Sequence, residues 1–127
     1  MENLNDRFAM HYGSEQMFFD PLFPGHIYTE GVKHVVEELQ CHWLRDIIFS
    51  RQSEAKGEHF QVWKATSKDN KADIELSDGN ENVIWTKHIS YTDLPEGVLT
   101  MWYIVDDYIN EQDERVVRRT LLLPSEY

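Results

Sequence analysis

His34, Glu38 and His42 recur at four-residue steps in the stretch TEGVKHVVEELQCHWLRDIIFS, with Cys41 among them. Imidazole, carboxylate and thiolate are the groups that hold transition metals, and four-residue spacing on a helix stacks them one turn apart. The same spacing places them opposite Val32, Val35, Val36, Leu39 and Trp43, where a core-packed helix carries solvated polar residues in any case. A solvated face is therefore expected, with metal ligation by His34, Glu38 and His42 as the sharper alternative. Cys41 and His42 are adjacent and point in different directions from a helix, so the thiol has no base to activate it.

Asp106, Asp107, Glu111, Asp113 and Glu114 form a second cluster, and paired carboxylates can exchange protons or hold a cation. Their spacing lacks the regular oxygen-ligand pattern of a calcium loop, and Arg115, Arg118 and Arg119 follow immediately, so a solvated acidic loop is expected. Gly79 and Gly97 are isolated turn glycines rather than a phosphate cradle. No catalytic spacing and no cofactor site emerges.

The elements that must position these residues begin with a helix over 29–50, whose apolar residues recur at three- and four-residue steps. Thr29 is its expected N-cap, Glu30 suits the positive end of the helix dipole, and Pro21 and Pro24 bar an earlier start. A bend near Cys41 would make it two short helices. Residues 1–28 read as an ordered but irregular segment in which Met17, Phe18, Phe19, Leu22 and Phe23 pack across one side of the domain.

HFQVWKAT alternates as a strand, with Phe60 and Val62 on one face and Trp63 and Ala65 on the other. ADIELSDGNENVIWTKHISYTDLP reads as a hairpin; with Gly79 and Asn80 as the turn, Leu76 faces Val83 and Ile74 faces Trp85. VLTMWYIVDD and RVVRRTLLLP flank the acidic loop. The expected class is α+β, with the helix packing its Val36, Leu39 and Trp43 side on about five antiparallel strands within 59–123. Apolar residues on both strand faces imply two covers: the helix on one side, and the N-terminal segment or a second copy over Trp63, Trp102 and Ile84 on the other.

The chain has 127 residues, the size of a single domain, and its 41% hydrophobic and 13% aromatic content is that of a folded protein. Its net charge of -11 opposes direct contact with nucleic acid or anionic lipid and favours basic partners. One cysteine excludes an intrachain disulfide and suits a reducing compartment. MENLNDRF lacks the apolar core of a leader and no run approaches a membrane span, so a soluble cytoplasmic protein is expected.

The words HYGSEQMFFDPLFPGHIYTEGVKHVVEE, FQVW, DGN, YTDLP and the closing LLLPSEY resemble, in order, the uncharacterised family called domain of unknown function 6876. The resemblance spans nearly the whole chain. That family comprises small proteins of bacteria, mobile elements and phages, and the resemblance implies no activity, cofactor or catalytic residue. The loop VDDYINEQDERVVRR is longer and more acidic than the family pattern.

Charge, size and that company together lead to the expectation of a non-enzymatic acidic binding or inhibitor protein. It would be directed at a basic nucleic-acid-binding surface of a host defence complex, as an anti-CRISPR protein would be, and would act in the host cytoplasm if phage-encoded. The contact residues expected are Asp106, Asp107, Glu111, Asp113, Glu114, Trp63 and Trp102. The alternatives are a small metal-dependent or hydrolytic enzyme using the helix histidines, and a homodimeric cytoplasmic domain.

Overall fold

The computed structural model describes residues 1–55 and 57–127. The 29–50 segment is two helices, α1 (Glu30–Glu38) and α2 (His42–Ser50). Thr29 caps α1 through its hydroxyl, which accepts from the Val32 amide at 3.3 Å. The break lies at Gln40, whose φ of 52° is left-handed, and Cys41 N then donates to Val36 O at 3.0 Å instead of continuing the helix. That conformation costs a non-glycine residue about 1–2 kcal/mol. The fully buried Cys41 side chain, plugged beneath the break, helps to hold it.

The sheet has seven strands rather than about five, and it is mixed rather than wholly antiparallel. The strands are β1 (Met17–Phe18), β2 (Ile27–Thr29), β3 (Phe60–Lys68), β4 (Lys71–Ser77), β5 (Val83–Ile89), β6 (Gly97–Ile109) and β7 (Arg115–Leu122), in the order β1-β2-β7-β6-β3-β4-β5. The two additional strands come from the segment expected to be irregular. They are too short to show alternation, and β2 runs parallel to β7 with Ile27 opposite Thr120.

Strand alternation separates the two faces. One buries Trp63 and Ala65 from β3, Ile74 and Leu76 from β4, Leu99, Met101 and Tyr103 from β6, and Leu121 from β7, in one cluster with Val32, Val35, Val36, Leu44, Ile48 and Phe49 of the helices. Phe49 of α2 meets Tyr103 edge-on with centroids 6.3 Å apart. Leu39 and Trp43, expected at the centre of the helix contact, are only partly buried at its margin.

The N-terminal segment joins this same side. Leu4 and Phe8, on a 3-10 turn over Leu4–Phe8, are buried in the cluster, while Met17, Phe19 and Leu22 are exposed. Asn5 sits beside β6 where β7 has ended, its side chain donating to Thr100 O at 2.8 Å and accepting from Thr100 N at 2.7 Å. An amide side chain thus replaces a missing strand there.

The β4–β5 hairpin differs from its expected register. Leu76 faces Trp85 and Ile74 faces Lys87, with a bulge that sets Ser77 opposite Val83. The connection is the loop 78–82 closed by Asp78 N donating to Asn82 O, not a two-residue turn. Asp78 organises it, accepting from Asn80 N at 2.8 Å and Asn82 Nδ2 at 2.8 Å.

Candidate functional site

Among the described residues, neither helix of the core cluster packs on the second face of the sheet, where Phe60, Val62, Trp102 and Ile104 are half-buried. Register places Val62, Trp102 and Leu122 side by side, and Phe60, Ile104 and Thr120 in the next row. The rings of Phe60 and Trp102 lie 5.1 Å apart and those of Trp102 and Tyr127 5.5 Å apart, an edge-to-face row across the open surface. Gly79 allows the row to form: its φ is +86°, and a Cβ there would meet the Phe60 ring at 3.1 Å.

Two shallow grooves flank the row, each of about 300 Å³. One is lined by Met17, Ile104, Leu122 and Tyr127 and ends at Asp106 and Arg118; the other runs along Val62, Glu75, Glu81 and Val83. Asp78, in the loop above Phe60, is held below the usual carboxylate range by its hydrogen bonds from Asn82 and Asn80. Aromatic surface bordered by carboxylates can stack on planar or cationic groups and accept hydrogen bonds.

β6 and β7 continue past their neighbours as a two-stranded ribbon. Phe60 is the last partner of β6 in β3, opposite Ile104, and β2 touches β7 only at Thr120 and Leu121. The five carboxylates expected to form one surface are dispersed on it. Asp106 shares the Trp102 face and pairs with Arg118 at 2.8 Å; Asp107 is on the other face and pairs with Arg115. Glu111, Asp113 and Glu114 lie exposed at the tip, where Asn110 Oδ1 accepts from Gln112 N and Glu114 N, both at 2.9 Å. Cross-strand arginines therefore neutralise the two aspartates that sequence order alone groups with the tip.

Trp63, expected beside Trp102 in a partner contact, belongs to the helix-covered face. It is 1% exposed, and its Nε1 donates to Gln61 Oε1 at 3.0 Å. Ile84 lies on the exposed edge strand. The helix break separates His42 from His34, and His34 Nδ1 instead meets His11 Nε2 at 2.9 Å, one ring donating to the other. Among the described residues, no three His, Cys, Asp or Glu side chains are grouped as a metal site. Burial pushes the Cys41 thiol up to about 12, the reverse of an activated nucleophile.

Several contacts could not be read from local pattern. His26 Nδ1 lies 2.6 Å from the Tyr103 hydroxyl and its ring stacks on Phe49. Burial, with Arg119 adding to it, holds His26 below the usual imidazole range. Arg45 is buried with its guanidinium 3.0 Å from Asp20 and over the Tyr28 ring.

The distinctive words of the sequence prove to be structural. Glu126, in the closing PSEY, accepts from Thr29 Oγ1 at 2.6 Å, Gly31 N at 3.1 Å and Leu123 N at 2.9 Å, binding the chain's end to the TEG start of α1. Ser14 in YGSEQ accepts from Glu30 N, and Gln16 N donates to Glu30 Oε1. In FQVW, the buried Gln61 links Trp63 to Gln52. In YTDLP, Thr92 N donates to Asn70 O and Leu94 O accepts from Ser67 Oγ. Each of these words closes a joint in the fold.

A family model described as a family of unknown function (DUF6876) matches residues 2–127. No curated protein matches the chain, and no solved structure does. No helix among the described residues is long and apolar enough to cross a membrane. The chain belongs to the family of unknown function DUF6876.

Proposed function

We propose that the protein is a non-enzymatic binding protein whose open sheet face docks on a basic protein surface, of the kind that otherwise binds nucleic acid. The observation that carries this reading is the half-buried aromatic row Phe60 and Trp102, continued by the exposed Tyr127 and flanked by Glu75 and Glu81, in a chain of net charge -11. Aromatic anchors supply affinity at such a contact, and the anionic rim supplies steering and choice of partner. The tip carboxylates Glu111, Asp113 and Glu114 extend the acidic surface, while Asp106 and Asp107 are already engaged by arginines.

Affinity capture from extracts of the cells that encode the protein tests this reading. A basic, nucleic-acid-binding partner should be retained at low salt, released as salt rises, and displaced by its own nucleic acid. Trp102→Asp and Tyr127→Ala should each abolish capture; Tyr127 is 81% exposed, so its loss leaves the fold intact. Capture that ignores salt, or persists in both variants, would remove the proposed surface.

A further inference from the structure

β5 is the outermost strand on one side of the sheet. At the opposite edge β1 has only two residues, too short to offer a ladder, whereas β5 has seven, contains no proline and is irregular only at its start, beside the Ser77 bulge. Alternate residues of an antiparallel strand turn their amides and carbonyls away from the partner. Among the described residues, β5 pairs only with β4, and no other backbone segment reaches those outward groups.

A half-buried row of α2 lies along this edge. Trp43, Ile47 and Arg51 follow at four-residue steps and share one side of the helix. The Arg51 guanidinium lies over the Trp85 ring at 5.5 Å, and Trp43 and Ile47 share a cleft of about 400 Å³ with Ile89, so the row runs beside β5 in the opposite sense. Leu39, Tyr91 and Leu94 complete the apolar lining of the cleft, and Gln40, Thr92 and Asp93 are its polar part. Past Leu39, Gln40 and Asp93 it continues into a polar hollow that holds Glu38, His34 and Arg7.

Register puts Trp85, Lys87 and Ile89 on the helix side of β5, opposite Leu76, Ile74 and Ala72; His88 is on the other side, 2.8 Å from Asp73. Along the helix side the order is therefore Lys87, the apolar cleft, then Asp93 and Glu38. Among the described residues none of these three charges has an opposite charge within ion-pair distance, while Arg7 is held by Glu2 and Arg51 by Glu54. A strand laid against β5 sets every second side chain over this series. A carboxylate suits Lys87, a bulky apolar group fills the cleft at Ile89, and a cation meets Asp93 and Glu38. A second copy is the poorer occupant, because it brings two net charges of -11 together.

We infer that β5 and its cleft receive an extended segment of a partner protein by strand addition. In that segment an apolar residue has an acidic residue two positions to one side and a basic residue two positions to the other. The outward backbone groups of β5 supply affinity, and the cleft and three charges supply choice. Phe60, Trp102 and Tyr127 are left free, so strand addition and docking on the other face are independent.

The probe is the capped heptapeptide Thr-Lys-Thr-Leu-Thr-Glu-Thr, added to the full chain and followed by tryptophan emission and by amide hydrogen exchange. It should bind at submillimolar concentration and slow exchange in alternate residues of β5. Of two further forms, N-methylated on the threonines or on the other three residues, one should lose binding and the other keep it, since only one set of amides faces the edge. Lys87→Glu with Asp93→Lys, both at exposed positions, should weaken binding by about tenfold or more, and exchanging lysine and glutamate in the peptide should restore it. Absence of binding, equal binding of both N-methylated forms, or unchanged binding to the charge-reversed chain overturns the inference. So does protection of β5 amides that grows with the chain's own concentration and without peptide, which would place a second copy on the edge.

Discussion

Replacing Gly31 by alanine should reveal how strongly the end of the chain is tied to α1. A methyl group there would lie 2.5 Å from Glu126 Oε1, 2.6 Å from Cδ and 2.9 Å from Oε2, so the carboxylate must leave. It is the far end of a flexible side chain and can swing into solvent, abandoning Thr29 Oγ1, Gly31 N and Leu123 N. For three partly exposed hydrogen bonds to one charged acceptor, a combined loss of about 2–3 kcal/mol is expected. Alanine improves the helix by about 1 kcal/mol over glycine, so the net cost of Gly31→Ala is about 1–2 kcal/mol. Glu126→Ala alone should cost about 2–3 kcal/mol by the same reckoning. In that background no carboxylate remains to be displaced, and Gly31→Ala should then stabilise by about 1 kcal/mol. Urea unfolding of all four proteins gives the cycle, and each kcal/mol should move the melting temperature by about 3–5 °C. If Gly31→Ala stabilises the parent and the Glu126→Ala protein alike, the carboxylate contributes nothing at the start of α1 and the reasoning fails.

Three further outcomes can be checked. His26 is held below its unfolded value, so its contribution to stability is fully present above about pH 6.5 and is lost as pH falls through the lowered native value. The melting temperature should drop less between neutral and mildly acidic pH in His26→Phe than in the parent, and equal drops would assign the acid sensitivity elsewhere. Cys41 should resist a thiol reagent in the native protein and react at once in denaturant, because it is fully buried and its thiol is pushed up to about 12; rapid native labelling would contradict the plugged helix break. Gln61→Leu should cost about 2–4 kcal/mol by leaving the buried Trp63 Nε1 without an acceptor, and Trp63→Phe should cost less in that background than in the parent; additive losses in chemical denaturation would deny the link.

The helices were legible because their apolar residues recur over several turns, and Thr29 was legible as a cap because hydroxyl capping is local chemistry. The break was legible only as a bend near Cys41, since Gln40 is not a residue type that announces a left-handed turn. β1 and β2 were hidden because their strand character comes from partners far along the chain, Thr120 and Leu121 for β2. The hairpin register was misjudged because pairing apolar side chains assumed a two-residue turn, whereas the Asp78 carboxylate builds a longer loop and a bulge absorbs the difference. At the candidate site, alternation separated Trp63 from Phe60 correctly but did not say which face the helices cover. The small Ala65 and Ser67 beside Trp63 mark the covered face in retrospect. The acidic cluster was legible as composition, yet its division into paired Asp106 and Asp107 and an unpaired tip depends on cross-strand register.

The parallel pairing of Ile27 with Thr120 also bears on how the chain reaches this fold. β2 and the two helices after it are made some 90 residues before the strand that β2 joins and the glutamate that binds the start of α1. Until then the apolar sides of α1 and α2 lack much of the sheet that buries them. Closing so long a loop before its contacts form is slow compared with making a local hairpin. The nascent chain therefore emerges as amphipathic helices followed by locally paired hairpins, β3 with β4 and β6 with β7, and the arrival of β7 lets them come together. During synthesis its vulnerability to aggregation or capture by chaperones is concentrated in residues 29–50, and it ends when β7 docks.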